Sequence, residues 1–442
     1  MRVCILHYKS GTDGVSLEIK KRIKILKRLG LKPCFVAGSG NADYVIPELS
    51  ILHKSVKQFN MHAFKNHNNE GAKRLFKRHS EATKTKLDAF FDEVKPDLLI
   101  VHNLFSLAYN LPASHALAEV IRQRNLKTEA IHHDFWWDRD SFVTRSGFVR
   151  NLMLDILPPH IPQIVSHIVL NSIERKKLLI RRKIKAKVFG DLFDFEEANK
   201  YTKSELKRLL KLKQEVVFLQ ATRILRRKAI EISIDFIERF MKRSGKKATL
   251  LLTNPPEKYI DMDYLKQILA YAKQKQVKLV LAYKKAPEVE FFEFYKVADF
   301  VLYPTILEGF GNQFLEAVYY KKLPILFEYE VFREDLKKEG YLYISLGERY
   351  RVVDGMIRVP RTAIDAAVRK ALYYLARSRL YSAAVDKNFQ IAKQHHSPRV
   401  LENYYRVLLA SIAMEKTIAN VAQLFKIPSK EVRNVVKKLL KI

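Results

Sequence analysis

Largely apolar runs of four to six residues recur along this chain, and the segments between them are long enough for helices with apolar and charged residues at helical spacing. In the first half the runs fall at 2–6, 33–37, 97–101, 128–132, 167–170 and 186–189; in the second half they fall at 216–221, 248–253, 277–282, 300–303 and 324–327. Strand-length runs alternating with helix-length segments predict parallel sheets covered by helices, and two such series predict two doubly wound α/β domains. The recurrence is of architecture, since the two halves do not repeat in sequence. Residues 229–241 and 312–321 read as amphipathic helices that directly follow strand-end loops. In sheets of this kind ligands bind outside the carboxyl ends of the strands, so those loops are where chemistry is sought.

Composition bounds the picture. A chain of 442 residues with 48% hydrophobic residues is long enough to bury two cores, and 14 glycines and 15 prolines argue against a disordered linker. Cys4 and Cys34, the only cysteines, make neither a disulfide framework nor a zinc site, which suits a reducing cytoplasm. The chain enters a strand at once, without a signal-peptide pattern, and no apolar run is expected to approach the ~18 residues of a membrane span. The formal charge of +33 fits nucleic acid, an anionic membrane, an acidic substrate or a lysine-rich thermophilic surface. Basic amphipathic helices near residues 17–29 and 174–185 read individually as solvated faces on core helices. Together they allow peripheral docking at the inner face of a membrane, and hence a lipid-linked acceptor.

The most specific chemistry lies between Pro304 and Pro324. Glu308, Gly309, Phe310 and Gly311 form the turn between the strand 300–303 and the helix that Asn312 opens. Two glycines let a backbone approach a diphosphate closely, and the N–H groups and dipole of a helix start favour its negative charge. Glu308 on the turn can bond sugar hydroxyls, whereas Glu316, one helical turn further on, can hold both hydroxyls of a ribose. With 47 acidic residues in the chain, such a pair also arises by chance on a solvated helix face; the surrounding proline and glycines make the block specific.

This block resembles the donor site of retaining glycosyltransferases of the GT-B fold, the family that includes sucrose synthase, sucrose-phosphate synthase and bacterial mannosyl- and glucosyltransferases. The resemblance implies two Rossmann-like domains facing a cleft: residues 1–195 binding the acceptor and 196–395 binding the nucleotide sugar. Residues 396–413 would be a crossover helix returning to the first domain, with the hinge near 190–214. It implies contact of Glu308 with the donor sugar and of Glu316 with the ribose, beside the Gly309, Phe310, Gly311 and Asn312 backbone. It also implies Arg223 and Lys228, five apart after the strand 216–221, as ligands of the diphosphate, with Arg226 and Arg227 spare. Cations at a helix start oppose its dipole unless an anion sits there, although solvated surface is the competing reading. Lys321 and Lys322 stand where relatives often carry a small pair, and Thr305 replaces a common serine.

In the first half, Gly11 and Gly14 resemble the family's early glycine loop, which would bring Gly14 and its helix start to the donor phosphate or the acceptor; an ordinary strand-to-helix turn is the alternative. After the strand 128–132 come His132, His133, Asp134, Trp136, Trp137, Asp138, Arg139 and Asp140, with both tryptophans of the chain. Aromatic rings offer faces to sugars, and carboxylates, imidazoles and an arginine bond hydroxyls or an acidic group. The family's His-Asp pair carries over to His133 and Asp134, with Trp137 and Arg139 as further acceptor contacts. A metal on His132, His133, Asp134 and Asp138 is the competitor, but adjacent residues of an extended segment point to opposite sides. His132 also reads as a structural histidine.

Cleaving a sugar–phosphate bond puts charge on the leaving diphosphate, so Arg223, Lys228 and the Asn312 helix start should stabilise that step most, with His133 and Glu308 orienting the donor. As the resemblance implies, transfer retains configuration, needs no obligatory metal or cofactor, and uses a UDP-, GDP- or ADP-hexose as donor. Residues 414–442 read as helix, turn and helix with Ser429 as N-cap, an appendage that docks on the enzyme or makes a homodimer. Its helix-turn-helix look supports an alternative, a nucleic-acid-binding regulator on a degenerate glycosyltransferase fold using Lys430, Arg433 and Asn434. Nucleic acid is the weaker partner, because two helices cannot make a DNA-binding domain unsupported.

Overall fold

In the computed structural model the residues described are 1–11, 13–193, 200–256, 262–426 and 428–440, with the backbone alone for 435–440. They form two compact units. Unit 1 comprises Met1–Leu170, Glu174–Phe189 and the chain from Pro398 on; unit 2 comprises Asn171–Ile173 and Gly190–Ser397. Within the expected hinge, residues 194–199 lie outside the described ones.

Unit 1 holds seven parallel strands: β1 (Arg2–His7), β2 (Lys32–Ala37), β3 (Tyr44–Val45), β4 (Leu98–His102), β5 (Thr128–His132), β6 (Ile164–Val169) and β7 (Lys187–Val188). Their order is β3-β2-β1-β4-β5-β6-β7. The chain winds outward from β1 to β3 and then returns to the other side of β1, so the switch point lies between β1 and β4. The strands are buried on both faces, as Val3, Cys4, Ile5 and Leu6 are, because helices cover both sides. The helix Gly14–Arg28 starts where Asp13 caps it, its Oδ1 accepting from Val15 N at 3.2 Å and Ser16 N at 3.3 Å.

Unit 2 repeats the plan with β8 (Val216–Gln220), β9 (Ala248–Leu252), β10 (Lys278–Leu281), β11 (Phe300–Tyr303), β12 (Leu323–Leu326) and β13 (Ile344–Ser345) in the order β10-β9-β8-β11-β12-β13, all parallel. Its switch point, between β8 and β11, sets the two candidate loops of this half side by side. Phe218, Phe236, Phe240 and Phe300, all fully buried, pack edge-on and stacked beneath them. An antiparallel hairpin, β14 (Arg351–Val353) with β15 (Met356–Arg358), follows.

Every expected strand is present, with ends shifted by one to three residues where a polar residue extends a run or a turn shortens it. The helix expected at 229–241 is Ile230–Ser244, because Ala229 adopts the left-handed conformation at φ 47° and Gly245 at φ 67° ends it. The last helix begins at Ser429 itself, with the Pro428 carbonyl accepting from Glu431 N at 2.9 Å, so Ser429 is not the N-cap.

The helix Pro398–Phe425 belongs to unit 1, and a buried polar cluster fastens it there. Arg22, 1% exposed, donates to the Tyr405 hydroxyl at 2.7 Å and lies 3.2 Å from Glu18 and 3.8 Å from Glu129. Tyr405 and Tyr404 in turn donate to the two oxygens of Glu129 on β5, at 2.9 and 2.5 Å. The expectation about apolar runs is corrected in this region: within Ser378–Phe425 one 18-residue window reaches a mean hydropathy of 1.2, enough by length and composition for a membrane span. The helix nevertheless pairs Lys416 with Asp97 and Glu415 with Lys127, each at 2.8 Å, contacts of a helix docked on protein.

Candidate functional site

In unit 2 the loop after β8 runs through a single turn at Arg226–Lys228 and then into the helix Ile230–Ser244. Buried Gln220 at the strand end shapes it: its amide donates to the Lys228 carbonyl at 2.9 Å and accepts from Ser233 Oγ at 2.7 Å. Lys228 is thereby turned inward, where its ammonium meets Glu308 from the loop after β11. Glu308 also accepts from Arg227 Nη1 at 3.0 Å and from Thr305 Oγ1 at 2.9 Å. Both partners of the central pair are largely buried. Burial pulls Lys228 below the ordinary lysine range while Glu308 opposes it; for Glu308, burial is outweighed by Lys228 and Arg227, which hold it below the usual carboxylate range. Exposed Arg223 adds a further positive charge acting on Lys228.

The turn beyond Glu308 has two different glycines. Gly311 sits at φ 138°, and a Cβ there would lie 2.1 Å from the Tyr329 hydroxyl, which donates to the Phe310 carbonyl at 2.7 Å. Gly309 is exposed with nothing within 4 Å of a Cβ, and its carbonyl accepts from Asn171 Nδ2 at 2.7 Å. Phe310 is buried against Gly190, where a Cβ would meet the ring at 2.2 Å. Asn312, exposed, opens the helix Asn312–Tyr319 without a side-chain cap or an acidic residue in the first turn, which leaves a helix start suited to an anion. Glu316, half-buried, accepts from the Tyr295 hydroxyl at 2.6 Å.

In unit 1, Gly14 is the exposed first residue of its helix, with open space around a Cβ. His133 follows β5; its backbone N–H donates to Asn103 Oδ1 at 2.8 Å, and its Nε2 lies 3.0 Å from His102 Nδ1. His7 Nδ1 donates to the His102 carbonyl at 3.1 Å, so three strand ends meet through imidazoles. Burial, with Arg22 and His7 adding to it, lowers His133 to about 3, so it is a neutral imidazole. Asp134 forms an ion pair with Arg139, whose Nη1 donates to the Tyr109 hydroxyl at 3.1 Å. Trp137 stacks on Phe135 at 4.3 Å between centroids, with the Arg181 guanidinium 5.5 Å from its ring. His132 faces away from His133, its Nε2 3.0 Å from His167 Nδ1. Among the described residues no three His, Cys, Asp or Glu converge as metal ligands.

The structure thus gathers Glu308, Lys228 and, through its charge, Arg223 in one group, and His133 and Asp134 in another, each within its own unit. Arg227 is a correction: it is not spare but a second cation on Glu308. His102 and Asn103, which as sequence read either as lining the cleft or as a strand cap, both bond His133, and Thr305, read only as a replacement for a serine, bonds Glu308; Tyr295 and Tyr329 are further members that sequence reading did not place.

A family model described as "Glycosyl transferases group 1" matches residues 202–350. Mannosylglucosylglycerate synthase of Thermotoga maritima is 32% identical over 427 residues, spanning 91% of this chain and 98% of its own. The protein of that name from Petrotoga mobilis is 31% identical over 399 residues, 83% of this chain and 91% of its own. Among solved structures, Anabaena HepE in complex with UDP and glucose superposes with a TM-score of 0.61 at 13% identity, over 93% of this chain and all of that one. These relatives give the nucleic-acid-binding alternative no support.

Proposed function

The chain belongs to the group 1 glycosyltransferases and has their GT-B architecture of two doubly wound units, and from that premise we propose that it transfers a hexosyl group, with retention, from a nucleotide sugar to an acidic sugar acceptor. The observation that carries this reading is the pairing of Glu308 with Lys228 and Arg227 beside the uncapped start of the helix Asn312–Tyr319. A diphosphate there meets Lys228, Arg223 and the backbone of Gly309, Phe310, Gly311 and Asn312, which together stabilise the charge left when the sugar–phosphate bond breaks. As the diphosphate draws Lys228 away, Glu308 is left to bond the hydroxyls of the donor sugar, and Glu316 those of the ribose. The leaving phosphate takes the acceptor's proton on the same face, so configuration is kept. The protein's own cations carry the leaving-group charge, and transfer persists in chelator.

For the acceptor we propose Gly14, His133, Asp134, Trp137 and Arg139 of unit 1. Neutral His133 has a ring orientation set by His102 and accepts or donates a hydrogen bond to a hydroxyl without charge. The relatives' name denotes a product with mannosyl, glucosyl and glycerate parts, which carried to this chain means a mannosyl donor and a glucosylglycerate acceptor whose carboxylate suits Arg139. The test is incubation of glucosylglycerate with UDP-, GDP- and ADP-mannose and with the corresponding glucose donors, the new linkage being read by NMR. Transfer from one donor with its anomeric configuration kept supports the reading. Inversion, or no transfer from any donor, overturns it.

A further inference from the structure

Unit 2 contains a cavity of about 800 Å³ that shares no lining residue with the loops at 222–228 and 304–312. Its walls are the helices Ile230–Ser244 and Met262–Gln274, the β14–β15 hairpin and the start of the helix Arg361–Leu375. That volume lies in the range of small-molecule pockets, roughly 300–1,000 Å³. Buried Val359 and Ile364 and the ring of Tyr271 supply apolar surface, so the cavity has a floor as well as a charged rim.

The carboxylates of this region are already committed. Arg358 pairs with Asp235 at 2.7 Å, and the Tyr271 hydroxyl bonds both of them. Lys275 and Lys242 share Glu238 at 3.0 and 2.7 Å, and Arg239 grips Asp365 with two nitrogens. Arg349, Arg351 and Arg361 line the same cavity, and among the described residues none of them has an ion pair. Seven cations therefore line the cavity with two carboxylates, Asp235 and Glu238; those two and the neighbouring Asp365 are paired with the other four, and Arg361 reaches Asp365 only through its field. A basic chain scatters cations over its convex surface, where water and salt screen them. A concave wall instead focuses their field on whatever enters. Five of the seven are arginines, whose planar fork matches phosphate and carboxylate oxygens two at a time.

We propose that this cavity binds a small molecule carrying two or more phosphate or carboxylate groups, held by Arg349, Arg351 and Arg361 at a site separate from the sugar-nucleotide loops. All three arginines are exposed, so their replacement removes charge without disturbing the core.

The test is calorimetric titration of the full chain with inorganic pyrophosphate at fixed physiological ionic strength, with UMP, GMP and AMP, which carry a single phosphate each, together at saturation to fill any nucleotide site. One equivalent of pyrophosphate is expected to bind. The double variant Arg349→Ala/Arg351→Ala should weaken it at least tenfold and leave nucleoside monophosphate binding as it was. A control that removes the same charge from the outer face of the helix Arg361–Leu375, Arg369→Ala/Lys370→Ala, should bind like the native protein. Pyrophosphate binding abolished by the nucleotides, or weakened equally in the control, would overturn the proposal. So would retention of the chain on phosphatidylglycerol vesicles without pyrophosphate binding, since that outcome assigns the cations to a lipid surface.

Discussion

At Lys228 and Glu308 the demands of folding and of chemistry meet in one ion pair, and substitutions separate them. Removing one member of a buried pair costs about 3–5 kcal/mol because the other charge is left in low dielectric. Lys228→Ala should fall near the lower end, since Arg227 and Thr305 still hold Glu308. The double change Lys228→Met/Glu308→Leu should regain most of that stability in thermal unfolding while sugar transfer stays absent. If transfer survived in the double variant, the pair would be structural only. Glu308 and Lys228 stood out in the sequence through the family resemblance, which matches a residue type at each of two strand ends; the residues alone left a solvated surface as the competing reading. Arg227 did not, because Arg226 and Arg227 are chemically identical neighbours. Only the tight turn ending in left-handed Ala229 sends Arg227 to Glu308 and Arg226 over the ring of Tyr264, 5.4 Å from its centroid.

The turn between β11 and the helix Asn312–Tyr319 shows what an element asks of two residues of the same type. Gly311→Ala forces a side chain into a positive-φ conformation and into the Tyr329 hydroxyl, so it should destabilise the protein by about 1–3 kcal/mol and disorder the helix start. Gly309→Ala meets no atom and has no positive φ, so melting should stay within about 0.5 kcal/mol of the native protein. Its effect belongs to the ligand: the apparent affinity for nucleoside diphosphate should fall while stability holds. Equal melting of the two variants would mean the turn is not built as described. Long apolar strands were legible as elements, whereas β3, β13 and the β14–β15 hairpin escaped because two or three residues carry no period. Arg351, Val352 and Val353 are exposed, so burial left no mark on that part of the sequence either.

Over the whole molecule, acid should act first through buried histidines. His7, His102 and His132 are nearly inaccessible, and burial lowers each below the ordinary imidazole range, as it lowers His133 to about 3 and His167 to about 4. They stay neutral in the fold, whereas the unfolded chain protonates them near 6.5, so stability is lost as pH falls below that value and not as it rises. Each contributes up to about 1.4 kcal/mol per pH unit until its folded pKa is reached. Melting temperature should therefore drop steeply between pH 6.5 and 5, and a flat profile would contradict neutral burial. The cluster of Arg22, Glu129, Tyr404 and Tyr405 sets a different constraint. Tyr405→Phe leaves a buried guanidinium and carboxylate each short of a hydrogen bond and should cost about 1–3 kcal/mol. The same cluster also has a bearing on synthesis. Residues 1–170 emerge first, yet the tyrosines that satisfy Glu129 follow more than two hundred residues later. At ~5–20 residues per second this is a wait on the order of 10–50 s, during which unit 2 can complete itself and unit 1 cannot. The half of the chain made first is thus the half finished last, and its Glu129 cluster is the part of the fold that waits longest for its partners.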